Sequence, residues 1–260
     1  MLHTFVVLAY KESSYLEDCI KSVLNQKYKS KVVIATSTPN KFISDIASKY
    51  NLEIIENKNH KNIGGDFDFA ISCADTPLVT VAHQDDIYDY EYSYEIVENY
   101  NKNKNTIILF SDYYEIRNDE RVDNNKILKL KRILLFPLRL KFFSRFKFIK
   151  RSALRFGNAI CCPAVAFVKD KTGNVVFESD FKSNVDWYAW ERLSHKKGKF
   201  IYIPKHLMGH RVHEGSTTTE IIHDNIRTKE DLEMFKKFWP NFIAKSINKL
   251  YMKSENSNKV

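Results

Sequence analysis

Apolar positions along this chain alternate between two rhythms, and the alternation itself predicts the architecture. Residues 4–9, TFVVLA, form a continuous apolar run of the kind expected from a strand buried on both faces. Leu16, Cys19, Ile20, Val23 and Leu24 then recur at three- and four-residue spacing. Ser14 and Glu17 stand in an S-x-x-E capping box, so a helix is expected from near Tyr15. The pattern repeats with a strand at 32–35, then Thr38 as expected cap, Pro39 at the first helical position, and Phe42, Ile43, Ile46, Ala47 and Tyr50 as the buried stripe. A third strand falls at 53–56. The polar loop NKNHKNIGG, closed by Gly64 and Gly65, leads to a short helix marked by Phe67, Ala70, Ile71 and Ala74, and then to a fourth strand, LVTVA, at 78–82. Four strands alternating with three helices imply an α/β fold: a Rossmann-like, doubly wound and mostly parallel central sheet flanked by helices.

The second half is less regular. Residues 90–101 read as a helix, and TIILF at 106–110 as a strand followed by Ser111, Asp112 and Tyr113. From 126 to 155 there are eleven Lys or Arg and no Asp or Glu, interleaved with Ile, Leu and five Phe. Pro137 divides this stretch into two short amphipathic pieces. A turn enters a buried strand within 157–168, and a Gly-containing hairpin leads to a helix with Trp187, Trp190 and Leu193 at its spacing. After Gly198 come a strand, a bend at Pro204 and a polar loop. The last forty residues, with Ile226, Leu232, Phe235, Phe238 and Trp239, read as helices covering the sheet, ending in a polar tail.

Composition narrows this picture. A 260-residue chain that is 43% hydrophobic with 7 Gly and 6 Pro fits one compact domain. The formal charge of +9 points to an anionic partner. Cys19, Cys73, Cys161 and Cys162 give no CxxC motif, which fits a reducing cytosol, and Cys161 and Cys162 read as small apolar residues rather than nucleophiles. The start has no basic region before a long apolar run, and no eighteen consecutive residues are apolar, so neither an ordinary export signal nor a membrane span is expected. The 126–155 segment has two readings: a solvated basic face, or an interfacial surface for an anionic membrane. Five Phe beside so many unbalanced cations favour the second. No nucleic-acid motif is present, and no nucleic-acid partner is expected.

The chemistry concentrates where LVTVA breaks into His83, Gln84, Asp85 and Asp86. Ligands of parallel α/β sheets bind outside the carboxyl ends of strands, and adjacent carboxylates there suit a metal and a phosphorylated ligand. The same residues could equally start a helix. Asp186 can be a base or a helix N-cap. Glu191, one turn on, is the alternative base or a partner for Lys or Arg. His206, His210 and His213 follow each other at four and three residues, but Pro204 and Gly209 break a helical zinc face, leaving a diphosphate or metal contact as the better reading.

Several motifs, in order, resemble one family: the inverting nucleotide-sugar glycosyltransferases of family 2, with the GT-A fold. FVVLAYKESSYLEDCIKSVLNQ is similar to that family's opening strand, turn and helix. HQDDIYD occupies the place of its D-x-D metal motif, NVDWYAWERL that of the segment carrying the catalytic base, and HRVHEGSTT that of a loop closing over donor phosphates. The resemblance spans roughly residues 4–220. It implies Asp86 as the direct ligand of Mn2+ or Mg2+, with Asp85 on the donor ribose or on the metal through water, His213 on metal or phosphate, and Asp186 as catalytic base. It also implies donor contacts from Ala9, Tyr10, Glu12, Ser37, Asp66, Gln84, Asp85, Arg211, His213 and Ser216, with Thr217 beside them. One departure stands out: many relatives end the second strand in an acidic turn, whereas this chain has ATSTPN, with Ser37 and Thr38.

The implied organisation is a nucleotide-sugar-binding half at 1–112, an acceptor-binding and catalytic-base half at 113–220, and a C-terminal helical tail at 221–260, within one GT-A domain. The implied function is transfer from a UDP-sugar to a hydroxyl of a glycan acceptor, lipid-linked and presented at the inner face of the plasma membrane, in cell-surface polysaccharide or glycoconjugate synthesis. A glycoprotein acceptor and a non-catalytic nucleotide-sugar or glycan-binding module are the alternatives. A nucleotidyltransferase would carry a glycine- and lysine-rich phosphate loop near its start, which AYKESS is not.

Overall fold

The computed structural model describes residues 1–213 and 226–256. Among these residues nine strands form one sheet: β1 (His3–Ala9), β2 (Lys31–Thr36), β3 (Ile54–Glu56), β4 (Leu78–His83), β5 (Ile87–Tyr88), β6 (Thr106–Arg117), β7 (Glu120–Val122), β8 (Val165–Val168) and β9 (Lys199–Val212). Their order is β3-β2-β1-β4-β8-β6-β9-β5, with β7 paired to β6. The first four strands are parallel, as their alternation with α1 (Leu16–Leu24), α2 (Lys41–Lys49) and α3 (Ile63–Ser72) requires. Strand β8 runs antiparallel between β4 and β6, while β6 and β9 are again parallel. A four-residue apolar run such as VAFV marks burial and carries no direction, which is why the sheet is more mixed than the sequence rhythm suggests.

Successive side chains of each buried strand feed opposite faces. Val6, Ile108, Phe110 and Phe167 pack on one side with Phe67 and Ile71 of α3 and with Trp187 and Trp190 of α8 (Val185–Ser194). Met234 of α9 (Ile226–Lys236) and Ala244 of α10 (Asn241–Asn256) join that same core. Phe5, Val7, Ile34 and Leu109 pack on the other side, against α1, α2 and α4 (Tyr92–Lys102). The basic segment follows as α5 (Lys126–Leu135), a 3-10 turn over Phe136–Arg139 containing Pro137, a second over Phe143–Arg145, and α6 (Lys147–Ser152). Among the described residues, no helix is long and apolar enough to cross a membrane.

Several local expectations are corrected. Asn40, not Thr38, caps α2, its side chain accepting from Ile43 N at 2.9 Å; Thr38 is used elsewhere. The Ser14/Glu17 box does not form, because Glu17 is taken by Lys49, Tyr50 and Lys21. Gly64 and Gly65 lie inside α3, capped by Asn62, rather than in a loop. A Cβ on Gly64 would approach Phe177 O to 2.9 Å, so glycine here serves close packing. Strand β6 continues to Arg117, well past Phe110, and Pro204 bends nothing decisively: β9 runs through it, absorbing the interruption as a register shift against β6 between Ser111 and Asp112. A four-residue helix, α7 (Lys169–Thr172), and a left-handed Gly173 replace the expected hairpin.

Candidate active site

The carboxyl ends of β1, β2 and β4 meet on one edge, where parallel strands present their ligands. Tyr10 N donates to Gln84 Oε1 at 3.0 Å and Gln84 Nε2 returns a bond to Tyr10 O at 2.9 Å, which locks the end of β1 to the turn after β4. Lys11, in the left-handed region at φ 54°, donates its N–H to Thr38 Oγ1 at 2.6 Å. Ala9 is buried, while Tyr10 and Glu12 are exposed at the rim. Ser37 Oγ donates to Asp66 Oδ2 at 3.0 Å; the same buried carboxylate meets Asn57 Nδ2 at 2.7 Å and His60 Nδ1 at 2.8 Å. A carboxylate therefore does stand at the end of β2, but the first turn of α3 supplies it. Asp66 is an interior first-turn residue there, since Asn62 is the cap.

The two carboxylates of the acidic turn have different surroundings. Asp86 is fully buried, its Oδ1 accepting from Arg211 N at 2.9 Å and facing His210 Nδ1 at 3.1 Å. Among the described residues, Asp86 Oδ2 and His83 Nε2 are buried without a hydrogen-bond partner. Asp85 is half-buried, with Oδ2 3.1 Å from His213 Nε2. His83, Asp85 and Asp86 each offer a ligand atom within 4.8 Å of the others. Two carboxylates with an orphaned oxygen fit a hard divalent cation, and one imidazole is compatible with Mn2+.

The three histidines, for which the sequence argued against a shared zinc face, have separate partners. His206 Nδ1 pairs with Asp123 at 2.7 Å, while His210 and His213 face Asp86 and Asp85; on a strand they build no three-histidine face. Burial pushes the His210 pKa down, but the charge of Asp86 and the hydrogen bond to it outweigh this and hold it above the ordinary value. Arg211, assigned by resemblance to donor phosphate, holds the turn itself. It reaches Asp85 O at 3.2 Å and Asp119 at 2.7 Å, and lies 4.3 Å over the Tyr15 ring. Tyr15 also meets His213, with ring centroids 5.1 Å apart. Ser216 and Thr217 lie outside the described residues.

Asp186 sits in the first turn of α8, with Asn184 at the cap position. Its carboxylate accepts from Asn158 Nδ2 at 2.6 Å and from Trp187 N at 2.7 Å, while removal from water pushes its pKa up despite those bonds. Glu191 instead faces Arg151 and His195, and Arg151 is itself anchored on Lys237 O. The thiols of Cys161 and Cys162, in the short turn before β8, are pushed up by burial, with the charges of Asp86 and Asp186 adding to the effect. Burial makes these cysteines poor thiolates. The pattern of the sequence missed Asn158 and Lys131. Lys131 Nζ donates to Tyr113 Oη at 2.8 Å, and its charge acts on Asp186 and His210. A lysine within a basic run looks solvated until the fold shows which face it occupies.

A family model described as Glycosyl transferase family 2 matches residues 4–172, from β1 through the acidic turn and β8. The chain belongs to this family. The match stops before Asp186 and β9, whose roles therefore rest on geometry. No curated protein matches the chain in sequence. Among solved structures, S. aureus TarS 1-349 in complex with UDP-GlcNAc is similar with a TM-score of 0.67 and 14% identity over 100% of this chain and 74% of that one. The mannosyltransferase PcManGT from Pyrobaculum calidifontis, in complex with GDP-Man and Mn2+, gives 0.64 and 12% over 99% and 76%. Against the longer TarS crystal structure the chain spans 42% of the relative's length. These likenesses show the family 2 fold, an α/β GT-A architecture.

Proposed function

We propose that the chain is a metal-dependent inverting glycosyltransferase that moves a sugar from a UDP-sugar to a hydroxyl of a lipid-linked glycan acceptor. The site of this reaction lies at the inner face of the plasma membrane, in cell-surface polysaccharide or glycoconjugate synthesis. The observation carrying this reading is the strand-end cluster of His83, Asp85 and Asp86, whose ligand atoms lie within 4.8 Å of one another, in a chain that also buries the Asp186 carboxylate at the start of α8. Transfer needs one charge-stabilising and one proton-accepting site.

Asp85, His83 and the free oxygen of Asp86 would hold Mn2+ or Mg2+, with His213 closing on Asp85. Bound there, the cation would neutralise charge developing on the leaving diphosphate. Arg211 keeps the acidic turn in place, and Tyr10, Glu12, Ser37, Asp66 and Gln84 form the nucleoside side. Asp186 takes the proton of the acceptor hydroxyl as its oxygen attacks the anomeric carbon and the bond to the diphosphate breaks. One displacement with one base inverts the anomeric configuration. UDP-GlcNAc in the TarS complex supports a uridine donor, whereas GDP-Man with Mn2+ in PcManGT supports the metal and keeps the base open to test.

Turnover of UDP-, GDP- and dTDP-sugars, with and without chelator, tests the reading. UDP-sugar hydrolysis or transfer that chelator abolishes and Mn2+ restores is expected. Binding of nucleotide-sugar with no turnover, even with acceptor present, would instead indicate a binding module.

A further inference from the structure

Among the described residues, eight of the fifteen exposed large apolar side chains lie between residues 130 and 148: Leu130, Ile133, Phe136, Leu140, Phe142, Phe143, Phe146 and Phe148. Such concentration is unusual for a surface facing only water, where single exposed apolar residues are scattered. The cations are sorted as well. Lys131 and Arg132 of α5 turn inward to Tyr113 and Asp112, and Lys150 is buried on the carbonyls of Lys196 and Gly198. Lys126, Lys129, Arg139, Arg145 and Lys147 are exposed and form no ion pair among the described residues. Arg145 lies 4.2 Å over Phe142 and 4.8 Å over Phe146, with the Phe142 and Phe143 rings edge to face, so cations and rings share one outer surface. Leu128, Leu135 and Leu138 are buried beneath it, which makes this a supported ledge rather than a loose strand of chain.

We infer that this ledge docks on an anionic lipid bilayer, with Phe136, Phe142, Phe143 and Phe148 entering the interface and the exposed Lys and Arg side chains meeting lipid phosphates. Charge complementarity selects the occupant: an apolar surface alone would equally suit a second copy, but five exposed cations that form no ion pair among the described residues repel another copy of the same ledge. Phenylalanine rings with interspersed Lys and Arg suit the headgroup boundary, where long cationic side chains extend to the polar layer. The inference deepens the proposed lipid-linked acceptor and rests on that reading for its purpose. Because α5 carries Leu130 and Ile133 outward and Lys131 inward to Tyr113, whose ring lies 6.2 Å from that of His210, one helix connects the docked surface with the residues around the acidic turn.

The full chain is tested by flotation with vesicles of phosphatidylcholine alone and of phosphatidylcholine with phosphatidylglycerol. Binding to the anionic vesicles at least tenfold above the neutral ones is expected, falling at least tenfold between 0.1 and 0.5 M salt. A Phe136→Ser/Phe142→Ser/Phe148→Ser variant should lose at least tenfold at low salt while hydrolysing donor as the parent does. Should that variant fail to fold, Lys129→Glu/Arg145→Glu tests the same surface, and Phe142→Trp should show a blue-shifted emission on anionic vesicles. Absence of vesicle association, or a dimer that covers the ledge and excludes vesicles, would overturn the inference. Vesicle binding by a protein that transfers sugar only to a soluble acceptor would retain the ledge and remove the lipid-linked acceptor.

Discussion

Asp186 shows how surroundings change what one residue can do. In sequence it is an aspartate near a helix start, equally suited to capping; in the fold Asn184 takes the cap position, leaving the Asp186 carboxylate beside Asn158. Burial raises its pKa, so the ionised form needed of a base is less favoured in the folded protein than in water. Stability from this group is therefore present when it is protonated, below the unfolded pKa, and is lost as pH rises through the folded pKa. Asp186→Asn should retain UDP-sugar affinity, reduce transfer about 10²–10⁴-fold and raise Tm at neutral pH, a gain that shrinks on acidification. Asn158 Oδ1, now unpartnered, can turn to accept from the new amide. In the parent, the acid limb of the pH–rate profile should lie above the usual carboxylate range near 3.9. An unshifted limb, or near-normal transfer by the variant, would move the base elsewhere. Asp66 carries the same lesson: the carboxylate missing from the second strand was present in the sequence, thirty residues away in a helix.

At the level of elements, the periodic ones were legible and the long irregular ones were not. Helices α1 to α3 and strands β1 to β4 follow their apolar spacing, whereas β9 passes through Pro204 and Gly209, which in sequence argue for a bend. Its continuity comes from pairing with β6, and at Gly209 the strands leave no room for a side chain: a Cβ there would lie 2.6 Å from the Tyr114 ring and 2.8 Å from Ile116. Tyr114 has little freedom to yield, because its hydroxyl is bound to Asp89 at 2.8 Å and Arg121 covers its ring at 3.7 Å. Gly209→Ala should cost about 1–3 kcal/mol, as overpacked sites do, and should weaken Mn2+-dependent turnover through the adjacent His210 and Arg211. Denaturant unfolding and metal titration check both; an unchanged Tm would mean that β6 yields more readily than its bonds imply.

The whole molecule fixes the geometry between distant segments. The carboxylate of Glu230, on α9, accepts from the backbone N–H groups of Lys182, Ser183 and Asn184 at 2.7, 2.8 and 2.9 Å. Asn184 Nδ2 also donates to Asp231 at 2.7 Å. The C-terminal helices thus hold the entry to α8, and with it Asp186. Glu230→Ala leaves three donors without this acceptor and should destabilise by about 3 kcal/mol. Its transfer rate should fall while UDP-sugar affinity stays near that of the parent, since the proposed nucleoside side lies on β1, β2 and β4. Equal losses of both would show general unfolding instead.

The sequence by itself determined the α/β alternation, the strand-end acidic turn, the helix bearing Asp186 and the basic, Phe-rich segment, because each depends on local spacing or composition. Only the tertiary structure decided the direction of β8, the separate partners of the three histidines and the inward turn of Lys131. It alone placed Asp66 at the end of β2, and Glu230 beneath α8. Those features join residues tens to more than a hundred positions apart, and local periodicity specifies a buried face without naming what will be packed against it.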